Sequence, residues 1–196
     1  MARMKKQLSI TLLIALLCLA ILPATRAQSF KVPFSQFQLD NGLRVVLSED
    51  HSAPVVAVAV YYDVGSRNET QGRTGFAHLF EHMMFQGSEN VGKAEHFKYI
   101  EHNGGVMNGS THVDFTNYYD FLPSNQLELA LWLESDRMRS LRITPDNLKN
   151  QQEAVKEEKR LSYDNQAYWP ALEKMDEMIF HNWANFGGAF RLSFNY

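Results

Sequence analysis

The chain has 196 residues, of which 45% are hydrophobic, 12% aromatic and 21% charged. That composition excludes a disordered chain, and a formal charge of −3 excludes the basic face that nucleic-acid binding needs. Cys18 is the only cysteine, so neither a disulfide framework nor a cysteine-rich metal site holds the fold together.

Met1–Lys6 is basic, Leu8–Leu22 is almost entirely apolar, and Ala24-Thr25-Arg26-Ala27 ends on a small residue. This is the layout of a secretory signal peptide over residues 1–27. Its apolar run is short for a membrane-spanning helix of about 20 residues. The expectation is an exported protein with no stable transmembrane segment after cleavage. The periplasm is favoured, with secretion or a signal anchor as alternatives. Residues 28–196 then carry 15 basic and 22 acidic residues, a net charge of −7. Their length suits one hydrophobic core rather than two.

Phe37 and Leu39 alternate with polar residues, as do Leu43, Val45 and Leu47, with Asp40-Asn41-Gly42 between. Asn-Gly predicts a hairpin, because both residues can take positive φ. Pro54–Asp63, rich in valine, predicts a core strand. Gly65–Gly72 reads as a loop. Thr74 is placed to cap a helix over about 75–86, and Lys93–His102 predicts a shorter one stopped by Asn103-Gly104-Gly105. Met107–Phe121 alternates throughout and predicts one strand. Asn125–Arg139 predicts a long helix with Leu127, Leu131, Glu134 and Met138 on one stripe. Thr144 with Pro145 opens another helix, to about Leu161. Trp169-Pro170 interrupts, and Leu172–Phe180 is helical again. The predicted fold is α/β of the α+β type, a mixed, largely antiparallel sheet with helices packed on one side.

His78-Leu79-Phe80-Glu81-His82 is the sharpest local feature. The histidines are four apart on a predicted helix and share a face with Glu81. Two imidazoles beside a carboxylate are the elements of a catalytic zinc site. The order is the inverse of His-Glu-x-x-His. A third ligand is needed, and the helix after Thr144 offers Glu153, Glu157 and Glu158. A run of exposed charges on a helix is usually solvated, so spacing alone does not choose among them.

The motif does not stand alone. Asn41-Gly42-Leu43-Arg44-Val45, Tyr62-Asp63-Val64-Gly65-Ser66-Arg67 and Gly72-Arg73-Thr74-Gly75-Phe76-Ala77 precede it. Phe85-Gln86-Gly87-Ser88 follows it, then Gly104-Gly105-Val106-Met107-Asn108, Thr111 and Asp114-Phe115-Thr116. Together these resemble the insulinase or pitrilysin family of zinc metallopeptidases, which includes the mitochondrial processing peptidases, over about residues 37–168.

The resemblance implies the roles. His78 and His82 are zinc ligands and Glu81 is the general base. The third ligand is the later acid of Val155-Lys156-Glu157-Glu158, which is Glu158, 76 residues past His82. Gln151 stands where the family often places a supporting glutamate, keeping the hydrogen bonding without the charge. Gly105 and Asn108 bind substrate, an extended peptide adding as a strand beside residues 104–118. Gly109 and Ser110 depart from the family's usual alanine and variable residue.

The implied activity is zinc-dependent endopeptidase action on short or unfolded polypeptides. Family members enclose a chamber with two halves, each of two α/β domains. The chain is therefore expected to be an N-terminal peptidase domain over 28–196, incomplete at its C-terminus, that needs a second half-molecule or partner subunit. The rival expectation is a non-catalytic, peptidase-like subunit that binds peptide or a partner protein.

Overall fold

The computed structural model describes residues 31–70 and 73–179, so the leader expected over 1–27 and the apolar stretch Phe190–Tyr196 lie outside the described residues. The chain divides into two compact units, residues 1–51 and 52–196.

In the first unit, β1 (Ser35–Gln38) and β2 (Arg44–Leu47) form an antiparallel hairpin with Phe37 opposite Val45. The turn differs from the expected one. Gly42 has φ +90°, but Asn41 keeps a negative φ. The Gly42 N–H donates to the Leu39 carbonyl and the Leu39 N–H to the Leu43 carbonyl, both at 2.9 Å. This is a three-residue loop, which needs only one left-handed position. Asn41 acts through its side chain, accepting from the Leu43 N–H at 3.0 Å.

In the second unit, β3 (Val55–Tyr62), β4 (Val106–Thr111) and β5 (Thr116–Pro123) form an antiparallel sheet in the order β3-β5-β4. The stretch expected as one strand over 107–121 is two. The chain reverses between Thr111 and Thr116, and the His112 N–H donates to the Phe115 carbonyl at 2.8 Å. Side-chain alternation continues through the turn, which contains neither Gly nor Pro, so periodicity does not register the break.

Strand β5 is central, and its even-numbered residues Tyr118, Asp120 and Leu122 are buried on one face. Helices α1 (Phe76–Met83), α2 (Glu95–His102) and α3 (Leu127–Ser140) meet that face. The Arg137 guanidinium of α3 lies 4.3 Å over the Tyr118 ring, His96 of α2 faces Asp120, and Ile100, Ala130 and Leu133 surround Leu122. The expected fold, antiparallel sheet with helices to one side, is the one that forms.

The inward stripe of α3 is not the expected one. Leu127, Leu131 and Met138 are 39–51% exposed, whereas Ala130, Leu133, Glu134 and Arg137 are buried. Glu134 and Arg137 go inward together because Arg137 donates to both carboxylate oxygens from one turn away. Burying either charge alone would cost several kcal/mol.

The α1 terminus carries a second correction. Gly75 is its N-cap, at φ +88°, and no side chain of the cap residue serves it. The N–H groups of Gly75 and Ala77 are bound instead by the Glu69 carboxylate, at 2.7 and 2.8 Å. Thr74, expected as the cap, is buried beside it. Helix α4 (Pro145–Lys159) starts as expected, with Thr144 accepting from the Asn147 N–H at 3.2 Å and Pro145 at the first position. A π-helical turn, Arg160–Asp164, extends it. In α5 (Trp169–Ile179), Pro170 sits in the first turn rather than interrupting a helix. No helix among the described residues is long and apolar enough to cross a membrane.

Glu69→Ala is expected to cost about 1–2 kcal/mol, the range of a lost helix cap strengthened by charge. Glu69→Gln, which keeps an acceptor, is expected to recover part of it. Urea midpoints decide. An unchanged midpoint in Glu69→Ala, beside a destabilised Thr144→Ala control, would remove Glu69 from this role.

Candidate functional site

Helical geometry places His78, Glu81 and His82 along one side of α1. A neighbouring stripe, Leu79 and Met83, is 1% exposed and packs on Val155 of α4, with Leu148 and Tyr163 around it. Each of these three buried side chains contributes about 1.5–3 kcal/mol. The packing sets α4 beside the motif and brings Gln151 and Glu158 to the histidines.

His78 Nε2 lies 3.2 Å from His82 Nε2. Glu158 reaches both, with Oε1 3.8 Å from His78 Nε2 and Oε2 3.3 Å from His82 Nε2. Glu157 turns outward to Arg160 at 2.5 Å, and Glu153 pairs with Lys156 at 3.0 Å. Of the carboxylates left open by spacing, Glu158 is the one that converges. The Glu158 side chain is 43% exposed and that of His78 13%, so the cluster opens to solvent on the Glu158 side.

Ligands about 2.1 Å from a tetrahedral zinc ion stand roughly 3.4 Å apart. The separations of 3.2–3.8 Å fit that spacing. Two imidazoles and a carboxylate leave one tetrahedral position open, as a catalytic zinc site requires. The Gln151 Oε1, 3.3 Å from His82 Nδ1, can only accept there, so it holds the proton on Nδ1 and leaves Nε2 for the metal. Burial, and then the neighbouring His82, lower His78 to about 4 against the pull of Glu158. The ring is therefore neutral at pH 7, the form that ligates.

Glu81 lies on the same side of α1, against strand β4 and near enough to His82 and Glu158 to interact with both. Thr111 Oγ1 donates to Glu81 Oε2 at 2.6 Å. Burial raises the Glu81 carboxyl above its usual range, while the Thr111 hydrogen bond and His82 oppose the rise. Gly109 passes so close that a Cβ there would lie 3.3 Å from Glu81 Cγ and 3.0 Å from the Tyr118 ring. Asn108 is exposed on β4, the edge strand, where its Oδ1 accepts from the Gly109 N–H at 2.9 Å. Gly105 stands just before β4. A Cβ there would meet Leu122 at 2.4 Å and the Phe121 carbonyl at 2.5 Å, so packing alone demands a glycine.

Sequence reasoning missed the contacts of Thr111 and Gly109 with Glu81, and that of Glu69 with the start of α1. Thr111 was visible as part of a motif, but its contact depends on the register of β4 over α1, which no local spacing encodes.

Two histidines of an inverted motif on α1 and a distant glutamate on α4 thus form a group that could hold a metal ion, with the edge strand over the neighbouring carboxylate. A family model described as Insulinase (Peptidase family M16) matches residues 44–182, and the chain belongs to that family. It is 37% identical over 140 residues to the zinc protease PqqE of Helicobacter pylori, covering 71% of this chain and 32% of that protein. It is 34% identical over 134 residues to the human cytochrome b-c1 complex subunit 1, covering 67% of this chain and 28% of that one. The crystal structure of a protease from Helicobacter pylori superposes with a TM-score of 0.73 at 32% identity, over 76% of this chain and 36% of that one. The chain thus spans about a third of the length of these relatives.

Glu158→Gln is expected to lower zinc affinity at least about 100-fold, while Glu157→Gln leaves it unchanged. Elemental analysis after dialysis at fixed free zinc reads both. Equal loss in the two variants would reassign the ligand. In the metal-free chain, His78 refuses a proton that the unfolded chain accepts between about pH 6.5 and 4. Stability is therefore expected to fall as pH drops through that window. His78→Gln should flatten the fall in urea midpoint; an identical slope would sink the assignment.

Proposed function

We propose that the chain is the metal-bearing part of a zinc-dependent endopeptidase that hydrolyses peptide bonds in short or unfolded polypeptides. His78, His82 and Glu158 hold the zinc, and Gln151 orients His82. When bound, zinc polarises the scissile carbonyl and lowers the pKa of a coordinated water. Glu81 is the general base. Its Oε2 is engaged by Thr111, so Oε1 is the oxygen that takes the proton and returns it to the leaving amine. Burial raises the Glu81 carboxyl toward the range in which it can do both.

Substrate enters as an added strand on the free edge of β4. Main-chain groups between Gly105 and Thr111 bind the peptide, and Asn108 gives up its local hydrogen bond to Gly109 to contact it. The single observation that carries the reading is the convergence of three ligand-type side chains on an open side, with a second carboxylate, Glu81, held beside them. A second half-molecule or partner subunit closes the chamber, a reading supported by the greater length of the relatives. The basic and apolar leader supports export, with the periplasm favoured.

A second reading, a non-catalytic subunit, draws on the 34% identity to a protein named as a subunit of the cytochrome b-c1 complex. The presence of Glu81 and of all three ligand-type residues speaks against it.

Hydrolysis of a quenched extended peptide by the leader-free chain tests the reading. Glu81→Gln is expected to lower turnover about 100- to 10,000-fold with zinc content unchanged. Thr111→Val is expected to lower kcat with little change in KM, and Thr111→Ser to restore it. Turnover that survives Glu81→Gln would remove Glu81 as the base, and a zinc-loaded chain that binds the peptide without cleaving it even beside a second half-molecule would favour the subunit reading.

A further inference from the structure

Away from α1 and α4, a second group of ligand-type side chains converges among the described residues. His96 of α2, Asp120 of β5 and Glu134 of α3 place one donor atom each within 4.8 Å of the others. All three are buried, at 4%, 0% and 2% exposure. They lie on the helix-covered face of the sheet and come from three separate elements.

Glu134 is neutralised by Arg137, which donates to both its oxygens and stacks over Tyr118. Asp120 has no such partner. Neither of its oxygens receives a hydrogen bond, and neither does His96 Nε2 have one. Buried polar groups are almost always paired, and an unpaired carboxylate in a core calls for an ion, a proton or a water.

Distance separates these occupants. His96 Nε2 lies 3.5 Å from Asp120 Oδ1. A charge-assisted hydrogen bond or a shared proton would close such a pair to about 2.5–2.9 Å. The observed separation falls instead within the 3.2–3.8 Å seen among His78, His82 and Glu158. His96 and Asp120 thus stand at the separation that two ligands of one ion take.

We propose that His96, Asp120 and Glu134 form a second, closed metal site that takes a divalent transition ion of the zinc class and ties α2, β5 and α3 together. Each side chain offers one donor atom, as at the first site, but here all three are buried, so substrate has no access to the remaining position. Glu134 takes part with lone pairs that Arg137 does not use, since a carboxylate has about four acceptor sites. In the absence of an ion, burial, and with it the neighbouring Asp120, pushes the Glu134 carboxyl up to about 7 despite Arg137. A cation opposite it removes that penalty. The site is structural, and it stands independently of the peptidase reading.

Elemental analysis of the purified chain tests it, with zinc as the probe. The wild type is expected to hold two ions per chain. The double variant His78→Ala/His82→Ala, which leaves the α2–β5–α3 core untouched, is expected to keep one. Adding Asp120→Asn should remove it. In the double variant, a strong chelator is also expected to lower the thermal midpoint. One ion in the wild type and none in the double variant would overturn the proposal in favour of a buried water or proton, and would leave the first site intact. One ion in both would support the second site and count against the first.

Discussion

Everything at the metal centre depends on one contact, the packing of Leu79 and Met83 of α1 against Val155 of α4. The two helices are about 70 residues apart in sequence, joined through α2, the β4–β5 hairpin and α3. His78, neutral and only partly exposed, has no charge with which to draw Glu158 in. Apolar burial does it, and the polar side chains then arrive at a spacing fixed by the helix surfaces. The ligand geometry is thus a by-product of core packing, set before any metal is present. Such preorganisation is what a tight metal site needs, because little ordering remains to oppose binding.

The sheet serves the site differently. Its central strand is buried on the side that carries the helices, and its edge strand lies over Glu81. One layer therefore holds the core with Leu122 and the Glu81 carboxylate with Thr111. The buried ions on that same face, Glu134 and Arg137 among them, are costly to place. They join helices to strand by directional contacts where apolar packing alone would allow sliding.

Much of this was legible in the sequence because it is local. The 78–82 motif, the Thr144-Pro145 start and the stop at Gly104 depend on residues within a turn or two of each other. Helical period alone placed both histidines and Glu81 on one side of α1. What escaped was long-range or masked by pattern. The alternation from Met107 to Phe121 ran through the reversal at 112–115 without a change of period. In α3, leucines lay outward because the inner stripe is occupied by a self-paired Glu134 and Arg137, which hydrophobicity scores as surface. Asn41-Gly42 signalled the hairpin correctly but not the loop, since one left-handed glycine sufficed. Which of Glu157 and Glu158 lies by the histidines depends on which side of α4 faces α1; the resemblance pointed to Glu158, and its carboxylate is the one near both rings.

Gly109 has a consequence for how the edge strand and the carboxylate beneath it respond to each other. Its φ is not positive, so the backbone does not require glycine there. The constraint is space, because its α-carbon rests nearly against Tyr118 and Glu81. Two positions further along the same strand, Thr111 grips that carboxylate. The strand thus bears on Glu81 at two points, one a contact and one a bond. A displacement of a few tenths of an ångström, from a bulkier residue or from a guest laid along the outer edge, would alter contact and bond together. The orientation of Glu81 is in this sense a readout of strand position, and whatever occupies the edge sets it.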